Sequence, residues 1–578
     1  MKLFRTALFF SFLCLAGAQP RTPVIVISID TLRADHLGVY GYRKIRTPNL
    51  DALARGGTLF ADIAAQIPLT LPSHTSLFTS TYPFQNGIEE NAQRVPAGAV
   101  TLAGVLRSRG YRTAAFVGSV LLDRRLGLDQ GFEVYDSPFN LDLQPAANPY
   151  SVRVRRDGAL VLRAARQWLD ANRGQPVFLF AHLFDLHAPY SHAAGAGADG
   201  YDAQIEYVDG LIGRFRQALE ESGWWDRSLV VVISDHGESL GEHGEQSHGY
   251  FIYRSTTWVP LILHWPKGAA GMPARSDGPG GLIDVAPTIL DFLKIPAPAS
   301  FAGSSLLGRA PHTVYSESMY ARDAFRWAPL RSLWAGGYIY IAAPKPELYD
   351  LKRDPAEQVN LAREKPGEGE ALQSQLNGLL TLYRPRAAPP KSSGKAQALA
   401  ALGSLGYVNA GARSEEDGGP DPKDRLREYN LFERALEALY GAREAAAIAG
   451  FREVAAEDEK NSLARYYLGE AYLRSGKAEE AAGAWNAVLA RDPEYAPAGE
   501  ALGALWLGRG DYAKARQVLQ ETLRMAPDDY AALVEVGLAE EKLGDAGDAR
   551  RHIEEACRIA IDPAPCEREL KELEQQSK

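Results

Sequence analysis

Apolar strands alternate with amphipathic helices from Thr22 to about Leu293, and this alternation constrains the fold more than any other feature of the chain. Pro23–Ile29 and Val177–Leu183 are almost entirely apolar, which is typical of strands covered by helices on both faces of a parallel sheet. The other predicted strands are 112–117 and 228–234, and the predicted helices are 101–109, 158–172 and 207–222. We therefore predict an α/β domain whose site lies beyond the carboxyl ends of its strands.

A second architecture follows in the C-terminal quarter of the chain. Gly469, Gly503 and Gly537 are spaced 34 residues apart, and Asp492-Pro493 and Ala526-Pro527 recur at the same interval. A small residue at this period lets the two helices of a hairpin pack closely, and the pattern is similar to tetratricopeptide repeats. Three units are predicted from Ser462 to about Pro563, after a degenerate unit that starts near Leu431. Such a solenoid offers a concave surface to a peptide or protein partner.

The predicted boundaries follow breaks in composition. A chain of 578 residues is long enough for three or four domains. Pro- and Gly-rich segments at 384–395 and 414–422 interrupt the pattern, with a predicted short helix over 396–408 between them. We predict a catalytic domain at 22–385, a linker at 386–424 and an all-α repeat domain at 425–578.

The first residues have the pattern of a secretory signal. Lys2 and Arg5 precede an apolar run, and the small residues Ala16-Gly17-Ala18 suit cleavage after Ala18. The run is too short to span a membrane, and no later segment reaches 18 apolar residues. The mature protein is therefore expected in the periplasm or outside the cell, where Cys557 and Cys566 either pair or remain buried thiols.

Charge and cysteine content exclude several classes of function. Lys and Arg number 63 against 72 Asp and Glu, a net charge of -9 that gives no general attraction for nucleic acid. With three cysteines in all, a disulfide scaffold or a cysteine-rich metal centre is excluded.

Four segments contain candidate catalytic or metal-binding residues. Asp30 directly follows the first strand, and Thr70 precedes Pro72 at the start of a predicted helix, where backbone N–H groups favour an anion. Asp185 and His187 follow another strand, two residues apart. The fourth segment, which follows the strand at 228–234, combines glycines with carboxylates and imidazoles, a composition typical of a metal site. Its principal residues are Asp235, His236, His243 and His248.

Together with Thr47–Leu53, Glu347–Leu351, Asp354-Pro355 and Asn360-Leu361, these segments resemble the sulfatase family of the alkaline phosphatase superfamily over residues 22–385. The resemblance implies a large α/β domain with a small C-terminal subdomain, and a metal-dependent ester hydrolase.

Several positions depart from the sulfatase pattern. Thr70 occupies the position of the Cys or Ser that sulfatases oxidise to formylglycine, and threonine cannot give that aldehyde. His74 stands at an Arg position and His248 at a Lys position, while Gly118–Leu121 lacks the sulfate-gripping Lys and His. Cationic side chains are replaced by imidazoles, which favours a phosphoryl group held by two metals.

The resemblance to phosphatases and nucleotide pyrophosphatases of the superfamily implies a Thr70 nucleophile, a phospho-Thr intermediate and two metals, expected to be zinc, with manganese or calcium as alternatives. Asn91 matches a family residue that contacts a substrate oxygen, and His74 is a further catalytic candidate. The implied first ligand set is Asp30, Thr70, Asp235 and His236; the second is Asp185, His187 and His248, in which His74 or His243 could replace a member.

Two other functions remain open at this stage. A sulfuric ester hydrolase is one, and a secreted pseudoenzyme that acts as an adaptor through its repeats is the other. Ligand-type residues at every proposed metal position favour an enzyme. The leaving group, and whether the substrate is a monoester or a diester, stay open.

Overall fold

The computed structural model describes residues 21–91, 93–139, 154–188, 190, 198–308, 313–385, 418–560 and 564–576. The predicted signal peptide and the predicted helix over 396–408 lie outside the described residues. The structure contains an α/β domain with a small subdomain, followed by a run of helical hairpins, as the sequence predicts.

The α/β domain is built on an eight-stranded sheet in the order β4-β3-β5-β1-β6-β7-β2-β8. Only β7 runs against its neighbours; the other strands are parallel. The strands are β1 Val24–Ile29, β2 Thr58–Ala64, β3 Arg112–Phe116, β4 Val134–Asp136, β5 Val177–Leu183, β6 Leu229–Ile233, β7 Trp258–His264 and β8 Arg275–Gly281. The central strands β1, β5 and β6 are fully buried, as their continuous apolar sequences require.

Helices cover both faces of this sheet, and each face has its own apolar core. The helices are α1 Pro48–Arg55, α2 Thr70–Thr79, α3 Pro83–Asn86, α4 Leu102–Ser108, α5 Gly158–Ala171, α6 Ala198–Glu221, α7 Arg254–Thr257 and α8 Val285–Phe292. The helix predicted over 207–222 is longer in the structure, because α6 begins at Ala198.

The small subdomain is a four-stranded antiparallel sheet in the order β12-β11-β10-β9, packed against one helix. Its elements are β9 Val314–Ser318, α9 Tyr320–Phe325, β10 Leu330–Ala335, β11 Tyr338–Ala342, β12 Glu347–Asp350 and α10 Pro366–Leu382.

The repeat region consists of antiparallel helix pairs. They are α11 Leu426–Tyr440, α12 Glu444–Glu457, α13 Ser462–Arg474, α14 Ala478–Arg491, α15 Ala496–Gly508, α16 Tyr512–Met525, α17 Tyr530–Leu543, α18 Ala546–Ile559 and α19 Ala564–Gln576. The glycine repeat lies where the paired helices touch: a Cβ on Gly469 would lie 2.3 Å from Trp485, and one on Gly503 would lie 2.4 Å from Leu519.

The cysteines and the helix lengths can both be compared with the sequence. Cys557 and Cys566, left open by the sequence, form a disulfide with a Cα–Cα distance of 5.5 Å. In the described part of the chain, no helix combines the length and apolar character that a membrane span needs.

Candidate active site

Three neighbouring strands bring the predicted residues together. Strands β5, β1 and β6 are adjacent and parallel, so their carboxyl ends meet at one edge of the sheet. Asp30 follows β1, and Asp235 and His236 come two and three residues after the end of β6. Thr70 is the first residue of α2, but few backbone N–H groups of that turn are available to an anion: the Leu71 N–H donates to Asn91, Pro72 has none, and the Ser73 N–H donates to the Leu69 carbonyl oxygen.

Four ligand-type atoms surround one point at this edge. The Thr70 Oγ1 atom lies 3.3 Å from Asp30 Oδ2 and 3.5 Å from His236 Nε2, and His236 Nε2 lies 3.5 Å from Asp235 Oδ2. These separations are long for hydrogen bonds to a carboxylate. A tetrahedral zinc ion with bonds of about 2.0–2.2 Å holds its ligand atoms roughly 3.3–3.6 Å apart. The spacing of the four side chains therefore fits a bound divalent metal.

The electrostatics of the two carboxylates support the same conclusion. Asp30 and Asp235 are buried, and neither Asp30 Oδ1 nor Asp235 Oδ2 has a hydrogen-bond partner. Burial raises the pKa of Asp30 to about 6, and burial together with the Asp30 charge raises the pKa of Asp235. Two adjacent carboxylates without a cation are costly in a buried site. A divalent metal would offset that cost.

A second group of possible ligands overlaps the first. One ligand atom each of His74, His182 and Asp235 lie within 4.8 Å of one another, as do those of Asp30, Asp235 and His236. His182 Nε2 is 3.1 Å from Asp30 Oδ2, and burial lowers the pKa of the His182 ring to about 4. His182 thus donates a hydrogen bond to a carboxylate of the first group.

His74 already has a partner at each ring nitrogen. Its Nδ1 atom lies 2.7 Å from the Thr70 carbonyl oxygen, and its Nε2 atom lies 2.9 Å from Ser28 Oγ. Burial lowers the pKa of the His74 ring to about 4, so the neutral ring bridges α2 and β1. His74 thus contacts the backbone of Thr70, and its predicted catalytic role remains a prediction.

The predicted second ligand set is not gathered in one place. The Asp185 carboxylate accepts the backbone N–H of Gly158, at the first residue of α5, over 3.1 Å. The rings of His187 and His248 have centroids 5.2 Å apart. Among the described residues, Asp185, His187 and His248 do not form a group of ligand atoms within 4.8 Å. Their role as metal ligands remains a prediction.

His248 nevertheless lies beside the first ligand group. Its ring centroid is 4.5 Å from that of His236, and its Nδ1 atom is 2.9 Å from Glu238 Oε1. A carboxylate at one ring nitrogen fixes the orientation of an imidazole. His248 is thus held at the margin of the Thr70 site.

Asn91 lies beside the first turn of α2, and its contact with a substrate remains a prediction. Its Oδ1 atom accepts the N–H of Leu71 over 2.8 Å, which fixes the amide beside the first turn of α2. Its Nδ2 atom is buried and has no hydrogen-bond partner. The predicted contact with a substrate oxygen suits that donor.

Three further rings lie in aromatic packing, and of these only His243 is a candidate ligand from the sequence. Trp327 is 1% exposed and stacks on Phe325 with ring centroids 4.4 Å apart. The His243 ring stacks on Tyr253 at 3.6 Å, and the half-buried Tyr190 ring lies 6.2 Å from Tyr201. Each of these rings packs against a neighbouring aromatic side chain.

A mostly parallel sheet with a hydroxyl and possible metal-ligand side chains at its carboxyl edge is compatible with a metal-dependent α/β hydrolase. The profile of the sulfatase family matches residues 22–295, and that of the tetratricopeptide repeat matches residues 432–497 and 501–564. The chain therefore carries a sulfatase-family hydrolase domain followed by tetratricopeptide repeats, which generally mediate protein interactions.

Two sulfatases are similar in sequence to this chain. Steryl-sulfatase of Mus musculus is 25% identical, over 65% of this chain and 84% of its own length. An ulvan-active sulfatase of Formosa agariphila is 24% identical, over 63% of this chain and 81% of its own.

Two solved structures share the fold. BT4656, solved in complex with its substrate D-glucosamine-2-N,6-O-disulfate, has a TM-score of 0.54 at 19% identity, covering 64% of this chain and all of its own. The phosphonate monoester hydrolase of Agrobacterium radiobacter has a TM-score of 0.52 at 20% identity, covering 63% of this chain and 96% of its own.

Proposed function

We propose that this protein hydrolyses phosphoric esters and that Thr70 is its nucleophile. The observation that carries the proposal is the Thr70 hydroxyl at the start of α2, 3.3 Å from Asp30 and 3.5 Å from His236. A threonine at this position excludes the formylglycine chemistry of typical sulfatases and leaves direct attack by the hydroxyl.

The side chains of this site have different proposed roles. Asp30, Asp235 and His236 would hold a divalent metal, which when bound supplies positive charge that lowers the pKa of the Thr70 hydroxyl. Zinc is the metal we propose, since carboxylate and imidazole ligands at tetrahedral spacing suit it. Asp30 Oδ2 lies within reach of the hydroxyl proton.

The reaction then takes place in two displacements. Thr70 Oγ1 attacks phosphorus in line, forms a phospho-threonine and breaks the bond to the leaving oxygen. The Asn91 Nδ2 donor, which has no other hydrogen-bond partner, holds a non-bridging oxygen. His248, whose ring orientation Glu238 fixes, would donate a proton to the leaving oxygen. Water hydrolyses the phospho-threonine in the second displacement and restores Thr70.

Sulfuric ester hydrolysis is the second candidate. The curated relatives reported above are sulfatases, whereas one of the two solved structures is a phosphonate monoester hydrolase. The comparisons therefore favour a sulfuric ester, and the identity of the nucleophile favours a phosphoric ester. A substrate panel separates the two.

The test is turnover of four aryl esters by the purified full chain, after metal removal and reloading with zinc, manganese or calcium. The panel contains a phosphate monoester, a phosphate diester, a phosphonate monoester and a sulfate monoester. We expect phosphoester turnover that falls at least 1,000-fold in Thr70→Ala and partly recovers in Thr70→Ser, as expected for loss of a nucleophile. Sulfate turnover alone would overturn the proposal in favour of the second candidate.

We also propose that the mature protein is secreted or periplasmic. The apolar run after Lys2 and Arg5 and the Cys557–Cys566 disulfide support this location. N-terminal sequencing of the protein from its host should find a chain that starts at Gln19. Recovery of an intact N-terminus from the cytoplasm would contradict the proposal.

A further inference from the structure

The loop that presents His248 contacts the repeat region directly. We define the site loop as residues 236–250, which join the end of β6 to the segment before α7. The Tyr250 ring stacks on Tyr429 of α11, with ring centroids 4.0 Å apart and planes at 5°. Tyr250 also donates its hydroxyl to the Pro422 carbonyl oxygen over 2.7 Å. The C-terminal end of the site loop is therefore fixed by residues that precede and form the first repeat helix.

The middle of the site loop meets the same helix. Asn430 Nδ2 donates to the Gly244 carbonyl oxygen over 3.0 Å. Gly244 has a φ of +84°, and a Cβ there would lie 2.3 Å from the Leu426 side chain. Helix α11 is thus packed against the loop backbone without room for a side chain between them.

A second connection runs to the segment that carries Asn91. Glu89, two residues before Asn91, pairs with Arg322 of α9 over 3.3 Å. The same helix contacts α11: the Phe325 ring lies 5.3 Å from Phe432, and Tyr320 donates its hydroxyl to Glu433 over 3.3 Å. Helix α11 thus supports two segments of the site from one side.

The composition of the site loop explains why it needs this support. It holds four glycines, Gly237, Gly241, Gly244 and Gly249, within 15 residues. Glycine-rich backbone loses much conformational freedom when it is ordered, yet a catalytic side chain must be held within about 0.5 Å of its working position. Contacts with a rigid buried helix provide that order.

From these contacts we infer that α11 is a positioning element of the active site, with Tyr429 as its central residue. The repeat region then belongs to the catalytic unit through its first helix, in addition to any partner it binds. The inference rests on the proposed function, since the site loop begins with His236 and presents His248.

The test compares Tyr429→Ala with Tyr429→Phe, which keeps the stacked ring. Leu533→Ala in α17 is the control, because Leu533 is equally buried, at 3% exposed, and lies in a distant repeat. We expect Tyr429→Ala to lower kcat at least tenfold with KM within threefold of the wild type, and to weaken zinc binding about tenfold in chelator competition. Tyr429→Phe should stay within twofold of the wild type, and Leu533→Ala should reduce thermal stability without changing kcat.

Equal kcat and zinc affinity in Tyr429→Ala and Leu533→Ala would overturn the inference and leave the repeats as an attached module. If Tyr429→Ala does not fold, Asn430→Ala takes its place, because it removes only the bond to Gly244. If the wild type turns over no ester, the proposed function fails. The zinc affinities of the variants then still decide whether α11 orders the site.

Discussion

At the scale of single residues, the site is organised by buried charge. Asp30 and Asp235 are both buried, and burial raises the pKa of both carboxyl groups. His74 and His182, next to them, are held neutral by burial, which lowers their pKa to about 4. The protein therefore brings two acidic groups and neutral imidazole donors to one point, and this arrangement suits a cation.

Replacing Asp30 tests how far the carboxylate pair lowers the free energy of unfolding when no metal is bound. The pKa of Asp30 is about 6 in the folded protein, against 3.8 ordinarily, so the unfolded chain releases this proton first as the pH rises. Stability from Asp30 is therefore fully present below pH 4 and is lost by pH 7. In chelator, Asp30→Asn should be more stable than wild type at pH 7 by up to about 3 kcal/mol, and the difference should vanish near pH 4.

Urea unfolding of both chains at the two pH values gives these free energies. Excess zinc provides the control. A metal that binds only the folded wild type raises the free energy of unfolding of the wild type, so the wild type should then be more stable than Asp30→Asn. If the wild type in chelator is more stable than Asp30→Asn at pH 7, the buried carboxylate pair does not destabilise the metal-free protein and the prediction is wrong.

His182 offers a second residue-scale prediction. Because it donates to Asp30, its loss should leave the carboxylate less well oriented and weaken metal binding 10- to 100-fold. His182→Ala measured by calorimetric titration with zinc tests this, and His182→Gln is the matched control because its amide can still donate. Equal affinity in wild type and His182→Ala would show that the contact with Asp30 does not support the metal.

The sequence predicts some of these residues better than others. Asp30 and Asp235 directly follow apolar strands, and Thr70 precedes a helix, so their positions follow from local pattern alone. His182 lies inside β5, where an apolar context favours a core residue. Its partner is found through the sheet register, which pairs His182 with Ser28, two residues before Asp30. The contact of Asp185 with α5 depends on how helix and strand pack, which no local pattern contains.

At the scale of elements, close helix packing explains the repeat signal. The glycines at 34-residue spacing lie where paired helices touch, and the sequence predicts this because the repeat period is local information. The length of α6 was less predictable, since its first turns carry glycine and polar residues that have no apolar period.

Substitution of Gly503 tests this packing. A side chain there would overlap Leu519, so Gly503→Val should destabilise the repeat region by about 1–3 kcal/mol or more. Gly483→Ala in α14 is the control: it meets no atom within 4 Å and should stabilise its helix by up to about 1 kcal/mol. Thermal unfolding followed by circular dichroism measures both, and equal melting temperatures for the two variants would contradict close packing at Gly503.

At the scale of the whole molecule, one apolar core joins the catalytic domain to the repeats. It runs from Tyr250 and Phe325 through Phe432 of α11 to Trp485 of α14. Polar contacts cross the same boundary, including Arg326 with Asp492 at 2.6 Å and Lys345 with Asp424 at 2.6 Å. The sequence predicts two domains and a linker, but shows no sign that the domains share a core, because their contacts join residues distant in the chain.

A chain that ends at residue 385 tests this shared core. Its truncation would expose the apolar surface around Tyr250 and Phe325, and an exposed patch of that kind promotes association. We expect aggregates or soluble oligomers in size-exclusion chromatography, and loss of most ester turnover. A monomeric truncated chain with wild-type turnover would show that the repeats are independent of the catalytic domain.

The most direct test of the central claim is the covalent state of Thr70 during turnover. The full chain is mixed with an excess of aryl phosphate, quenched in acid within the first turnovers and digested for accurate-mass sequencing of the peptide that contains Thr70. The account predicts phosphothreonine at position 70 in the wild type and no phosphorylated peptide in Thr70→Ala. An unmodified Thr70 in a sample that turns over the phosphate ester, with turnover preserved in Thr70→Ala, would contradict it.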